Sequence, residues 1–290
     1  MKNLIISLEA TCDLTKEIIK QYNLDVVDME FMVGEDTFST KEDDVVSSNL
    51  YERMKQGDKT STSQINQALY EEHFENLLKA GGPILHLAFS SGLSCTYNSA
   101  KKASEVLNEK YGKKIYVIDT LAACSGHGLL AILTRRFSES AKDIGEVVEF
   151  VEKTKHKIKH IFTVDNLKYL ANGGRLKTSS AIIGTILNIK PVMQTDEEGK
   201  LVVESKVISR KKALLSLFEK MKKNYDREEK MCFISHSACL GDAEFLCEKI
   251  KTELGLEPII ANLGPIIGSH SGPGTLAMFY LEESAGWPTC

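Results

Sequence analysis

The sequence predicts an α/β protein of two α/β domains, the N-terminal one with a mainly parallel sheet and the C-terminal one with a mixed sheet. Three observations predict it. From Leu4 to about Lys157, short apolar runs alternate with amphipathic stretches at helical spacing, the pattern of parallel βαβ units. In the second half, two extended runs flank the turn Asp196-Glu197-Glu198-Gly199, which reads as an antiparallel hairpin. The length of 290 residues suits roughly two domains. The boundary falls in the charged stretch Lys155 to Lys159, giving domains 1–157 and 158–290. No Pro/Gly-rich linker separates them, so the join is tight.

Each element has its own signal. Leu4 to Ser7 is a first buried strand, and Asp13 or Thr15 caps a helix from about Thr15 to Tyr22. Asp25 to Val33 is extended and ends at Gly34. Asp43 to Lys55 is an amphipathic helix. Lys59 to Gln64 is a hydroxyl-rich loop, either a cap cluster or the lip of a pocket. A helix from Gln67 to Lys79 follows. Ile84 to Phe89 is a buried strand that leads through Ser90-Ser91-Gly92-Leu93-Ser94 into a helix with Tyr97, Ala100, Ala103 and Leu107 at helical spacing.

Lys114 to Ile118 is a strand. Asp119-Thr120 then caps a helix from Leu121 to Ser140, in which Gly126 and Gly128 imply close packing against a neighbour or a ligand. A helix spans Ile144 to Lys157. Beyond it lie a strand at Ile161 to Val164, a helical turn at Asp165 to Leu170 and a break at Ala171-Asn172-Gly173-Gly174-Arg175. A short apolar helix is expected over 178–187. After the hairpin, Arg210 to Asn224 and Asp242 to Leu254 are helices, and Met231 to Ser235 and Pro258 to Ala261 are strands. The glycine-bearing turns of 264–275 precede a last strand, Leu276 to Leu281.

Composition excludes several classes. A hydrophobic fraction of 42% with 26% charged residues is that of a soluble globular chain. A net charge of −4 argues against nucleic acid and anionic membranes as partners. Seven scattered cysteines, an odd number with no CxxC pair, argue for free thiols in a reducing cytoplasm. No apolar run reaches spanning length, and Leu4 to Ser7 is too short for a signal segment. The protein is expected to be cytoplasmic. No phosphate-loop, dinucleotide or zinc motif occurs, so no metal and no cofactor is expected.

The chemistry-bearing residues cluster in a few places. A strand-to-helix turn presents unsatisfied N–H groups and a partial positive charge, and three serines add hydroxyl donors. Such a turn holds an anion, or Ser91 or Ser94 simply caps the helix; the turn alone does not decide. His270 stands between serines, held by Gly272-Pro273-Gly274. Arg175 follows Gly173-Gly174 and is either solvated or presented to an anion or a partner. Gly92-Leu93-Ser94-Cys95-Thr96 departs from a nucleophile elbow by Thr in place of the second glycine. A Ser94–His270–Asp119 triad acting on acyl esters is the alternative function, and a phosphocarrier through His270 is a third.

Five motifs occur in order: Thr62-Ser63-Gln64, Ser90 to Tyr97, Gly173-Gly174-Arg175, Lys190-Pro191 and Gly268 to Gly274. Together they resemble the DegV family of bacterial fatty-acid-binding proteins, including its FakB type, over nearly the whole chain. The resemblance implies a non-enzymatic, two-domain carrier that buries a long-chain fatty acid with its carboxylate near the domain interface. It implies that a fatty acid kinase then phosphorylates the presented acid. By motif, Thr62 and Ser94 would hold the carboxylate, His270 would lie beside it, and Arg175 would engage the kinase. Three positions depart from the pattern: Glu9-Ala10 where Asp-Ser is usual, Ile65 for Pro, and Cys95 for Gly. Cys95 is then a reactive thiol or a small packing residue.

Overall fold

The computed structural model describes residues 1, 3–41, 44–176 and 189–283. In the first half the elements are β1 (Ile5–Glu9), α1 (Lys16–Gln21), β2 (Leu24–Val27), β3 (Glu30–Val33), β4 (Asp36–Ser39), α2 (Asp44–Gln56), β5 (Thr60–Thr62), α3 (Gln67–Ala80), β6 (Ile84–Ala88), α4 (Thr96–Tyr111), β7 (Ile115–Asp119), α5 (Cys124–Ser138) and α6 (Ile144–Thr154). In the second they are β8 (Ile158–Thr163), α7 (Lys168–Asn172), β9 (Ile189–Thr195), β10 (Leu201–Ile208), α8 (Arg210–Asn224), β11 (Phe233–His236), α9 (Leu240–Leu254), β12 (Ile259–Asn262), α10 (Pro265–Ser271) and β13 (Leu276–Leu281). The expected helix over 178–187, Asp43 and Cys290 lie outside the described residues.

Three sheets form. The order β2-β1-β6-β7 is parallel throughout, with Ile6 opposite Leu85 and Leu87 opposite Ile118. Its two central strands are almost wholly buried, which is why they read as near-continuous apolar runs. The order β10-β9-β8-β13-β11-β12 is mixed: β11 and β12 run parallel and the remaining pairs antiparallel. The expected parallel and mixed sheets are both present. A third, antiparallel sheet, β4-β3-β5, was not expected.

Side-chain caps start several helices where sequence placed them. Thr15 accepts from the Ile18 amide, Asn66 from Leu69, and Asp143 from Glu146. Between the two large sheets lies α5, whose first eleven residues are all buried. Its glycines let it approach closely. A Cβ on Gly126 would stand 2.3 Å from His160 Nε2, and one on Gly128 2.4 Å from Leu14 Cδ2. Both contacts are with neighbouring elements, as the helix-interior glycines implied. One apolar core joins α5 to the parallel sheet, and a smaller one lies under α8 and α9.

Several sequence expectations are corrected. The extended run from Asp25 to Val33 is two strands in different sheets, broken at Asp28-Met29. The hydroxyl-rich loop contains β5, which pairs with β3. The long central helix starts at Cys124, and Asp119 and Thr120 do not cap it. The helical turn after β8 covers Lys168–Asn172, later than expected. His270 sits in the last turn of α10, a buried helix opened by Pro265 at its first position.

Candidate functional site

The parallel sheet ends at a shaped loop. From Phe89 to Cys95 the chain leaves β6 and turns into α4, and nearly every step is pinned. The Phe89 amide donates to buried Glu9 Oε2 (2.9 Å), and the Ser91 amide donates to Asp119 Oδ1 (3.1 Å). The Ser90 hydroxyl donates to the Gly199 carbonyl in the β9–β10 turn (2.9 Å), so the second half of the chain clamps the serine loop. Gly199 adopts a left-handed φ of +70°, and a Cβ there would lie 2.2 Å from Ser90 Oγ; the turn admits only glycine at this point. The Arg175 Nε–H donates to the Leu93 carbonyl (3.2 Å) on the loop's far side.

Within this loop Ser94 Oγ accepts from the Thr96 amide (3.2 Å) and forms a hydroxyl–hydroxyl hydrogen bond with Thr96 Oγ1 (2.8 Å). It serves the first turn of α4 and faces a cavity at the same time, so capping and ligand binding are compatible. Cys95, at the N-cap of α4, is exposed and lines the cavity, so it is not a packing residue.

Across the cavity, β5 and α10 lie side by side. The Thr60 hydroxyl donates to the Ser269 carbonyl (2.7 Å), and Thr62 Oγ1 meets His270 Nε2 at 2.8 Å. The Nδ1 side of the His270 ring lies close to Gly173, where a Cβ would come within 2.5 Å of Nδ1. Burial, with the nearby Arg175 charge, takes the His270 imidazole down to about 4. The ring is therefore neutral at neutral pH, and any hydrogen it donates belongs to one tautomer rather than to an imidazolium. With the proton on Nε2, His270 donates to Thr62 and leaves the Thr62 hydroxyl proton for a ligand.

The cavity has a volume of about 480 Å³, within the range of small-molecule sites. Its wall is largely apolar, with Met29, Phe89, Phe162, Leu201, Ile266 and Phe279 among the lining residues. Residues from both halves of the chain contribute. Thr62, Ser94, Arg175 and His270 all line it, so the four positions singled out by motif converge on one cavity. Among the other polar residues of the lining is His160. Its Nε2 accepts from the Ala123 amide (3.2 Å), its Nδ1–H donates to the Ile158 carbonyl (3.1 Å), and burial pushes it down to about 4. It is a satisfied, neutral wall residue that only its place in an apolar strand could have flagged.

The triad does not assemble. Ser94 bonds Thr96, His270 bonds Thr62, and Asp119 Oδ1 accepts from the Ser91 and Leu121 amides. Nor do the described residues contain a group of three His, Cys, Asp or Glu side chains fit to hold a metal.

Residues 3–283 match the family model described as "Uncharacterised protein, DegV family". The chain belongs to the DegV family. A DegV domain-containing protein of Clostridium perfringens is 38% identical over 288 residues, covering 98% of this chain and 99% of the relative. Among solved structures, a DegV lipid-binding protein from Thermotoga maritima is 26% identical, with a TM-score of 0.82 over 96% of this chain and 98% of the other. A second Thermotoga maritima protein, described as revealing fatty acid binding function, is 25% identical, with a TM-score of 0.80 over 97% and 99% of the two chains. The sheet orders described above are thus a DegV fold. Among its described residues, no helix is long and apolar enough to cross a membrane.

Proposed function

We propose that this DegV protein binds a long-chain fatty acid in the cavity and presents its carboxylate to a fatty acid kinase, which forms the acyl phosphate. It acts as a cytoplasmic carrier without catalysis of its own, and its two domains, 1–157 and 158–290, meet at the site. One observation carries this reading: a mostly apolar cavity whose polar groups include Ser94, at a helix N-terminus, and the Thr62–His270 pair. Hydroxyl and backbone N–H donors hold a carboxylate without burying a full cation beside it. The lipid- and fatty-acid-binding relatives from Thermotoga maritima support the same ligand class. Burial of about fourteen methylenes at ~0.8 kcal/mol each gives roughly 11 kcal/mol before the costs of association.

In this reading Thr62 and Ser94 donate to the carboxylate and His270 orients Thr62. Arg175, hydrogen-bonded to the Leu93 carbonyl, engages the kinase. Titration of the delipidated protein with hexadecanoic acid tests the first part. Ser94→Ala and Thr62→Ala should each weaken binding about tenfold or more, the worth of one charge-assisted hydrogen bond. Equal affinities across the three proteins would refute the assignment. The second part is tested with a fatty acid kinase and ATP at saturating acid: acyl phosphate should form with the wild type and fail to form with Arg175→Ala.

A further inference from the structure

Buried polar side chains almost always have a hydrogen-bond partner, so each exception asks for an explanation. Among the described residues, five carry buried side-chain atoms without one: Asp13, Thr163, Arg210, His236 and Ser271. Of these only Ser271 lines the cavity. It is 5% exposed and directly follows His270 as the last residue of α10.

The hydroxyls around it show that its lack of a partner is not for want of acceptors. On the same helix the Ser269 hydroxyl donates to the Pro265 carbonyl four residues earlier (2.7 Å), the usual way a helical serine satisfies itself. The Ser271 hydroxyl does not use the equivalent Ile267 carbonyl. The Thr275 hydroxyl reaches back to the Ser271 and Gly272 carbonyls (3.0 Å each), and the Ser237 hydroxyl donates to the Gly272 carbonyl (2.7 Å). Each neighbouring hydroxyl is committed to the backbone, and among them Ser271 alone, a residue of the cavity lining, has a buried hydroxyl without a partner.

We infer that Ser271 is a third hydroxyl of the headgroup site, donating to the carboxylate of the bound fatty acid. This rests on the proposed function. A carboxylate offers about four lone-pair positions, and Thr62 and Ser94 occupy two of them. A third donor adjoining His270 raises discrimination in favour of an ionised headgroup over a neutral one of the same chain length.

The test compares hexadecanoic acid with 1-hexadecanol on the delipidated full chain, alongside the melting temperature of the ligand-free protein. Ser271→Ala should weaken the acid about tenfold and the alcohol less than about twofold. It should leave the ligand-free melting temperature unchanged or raised, because a methyl group replaces a hydroxyl that had no partner. Unchanged affinity for the acid, or equal losses for acid and alcohol, would overturn the inference. So would a lowered melting temperature or failure to fold, which would mark Ser271 as structural. A wild-type protein that takes up no hexadecanoic acid would instead overturn the proposed function itself.

Discussion

Glu9→Ala should destabilise the protein by about 3–5 kcal/mol, the cost of removing one member of a buried charged network. The side chain is fully buried at the end of β1. Its Oε1 accepts from the Tyr70 hydroxyl (2.6 Å) and meets His86 Nε2 (3.2 Å), while Oε2 takes the Phe89 amide. His86 Nδ1 continues to Ser7 (3.2 Å), whose hydroxyl donates to Asp25 (3.0 Å). Without the carboxylate, three groups lose their acceptor and the serine loop loses its first anchor. Burial alone would raise the Glu9 carboxyl, but attraction and hydrogen bonding from His86, with His127 and Tyr70, hold it down at about 2.

A folded-state value below the unfolded one contributes stability that is present above the unfolded pKa and is lost as pH falls through the folded one. The fall from 4.5 to about 2 is worth roughly 3 kcal/mol, lost between those two pH values. Urea midpoints of wild type and Glu9→Gln across pH 7 to 3 check it. The wild type should lose stability in acid, and the variant should start lower and lose less. Parallel profiles would show that the carboxylate does not supply this stability.

Asp13 should act in the opposite sense. Its carboxylate follows the Ala10–Cys12 turn and is sealed from solvent, without a well-formed hydrogen bond on either oxygen. Burial outweighs the nearby Cys124 thiol and Gly264 amide and lifts the group to about 7. Tyr51, whose hydroxyl donates to the Leu263 carbonyl (2.7 Å), and the buried Cys12 thiol are further titratable neighbours, each raised by burial and by the Asp13 charge. A raised folded pKa gives stability fully present below the unfolded value and lost as pH rises through the folded one. The rise from 3.8 to about 7 is worth up to roughly 4 kcal/mol. Asp13→Asn should therefore stabilise the protein at pH 8 and flatten its stability profile between pH 4 and 8. A variant that keeps the wild-type slope would contradict this. Because Gly264 immediately precedes α10, the same group bears on the helix that carries His270 and Ser271.

How much of this was legible in the sequence varies with the kind of signal. The parallel strands were readable because β1 and β6 are buried on both faces, and burial writes itself as apolar runs. The β9–β10 hairpin announced itself through its turn. In contrast, β5 consists of Thr60, Ser61 and Thr62, whose polarity reads as loop; pairing with β3 makes it a strand, and pairing is non-local. Likewise α10 hides among Gly264, Pro265, Gly268 and Gly272, which read as turns. Pro265 suits a first helical position, and a Cβ on Gly268 would stand 2.3 Å from Tyr51 Oη.

The site was legible only through its motifs. Nothing in composition or periodicity links Thr62 to His270, 208 residues apart, or Ser90 to Gly199, 109 apart. Glu9 stood out merely as a departure from a familiar pattern, and its role as anchor of Phe89 emerges only from the packing. Ser271 lay inside a motif that drew attention to its neighbour.

The most direct test of the central claim is native mass spectrometry of the purified protein, with organic extraction of whatever it carries. A bound mass matching a long-chain fatty acid, reduced or absent in Ser94→Ala, is the expected result. An empty wild-type protein that also takes up no added fatty acid would contradict the account.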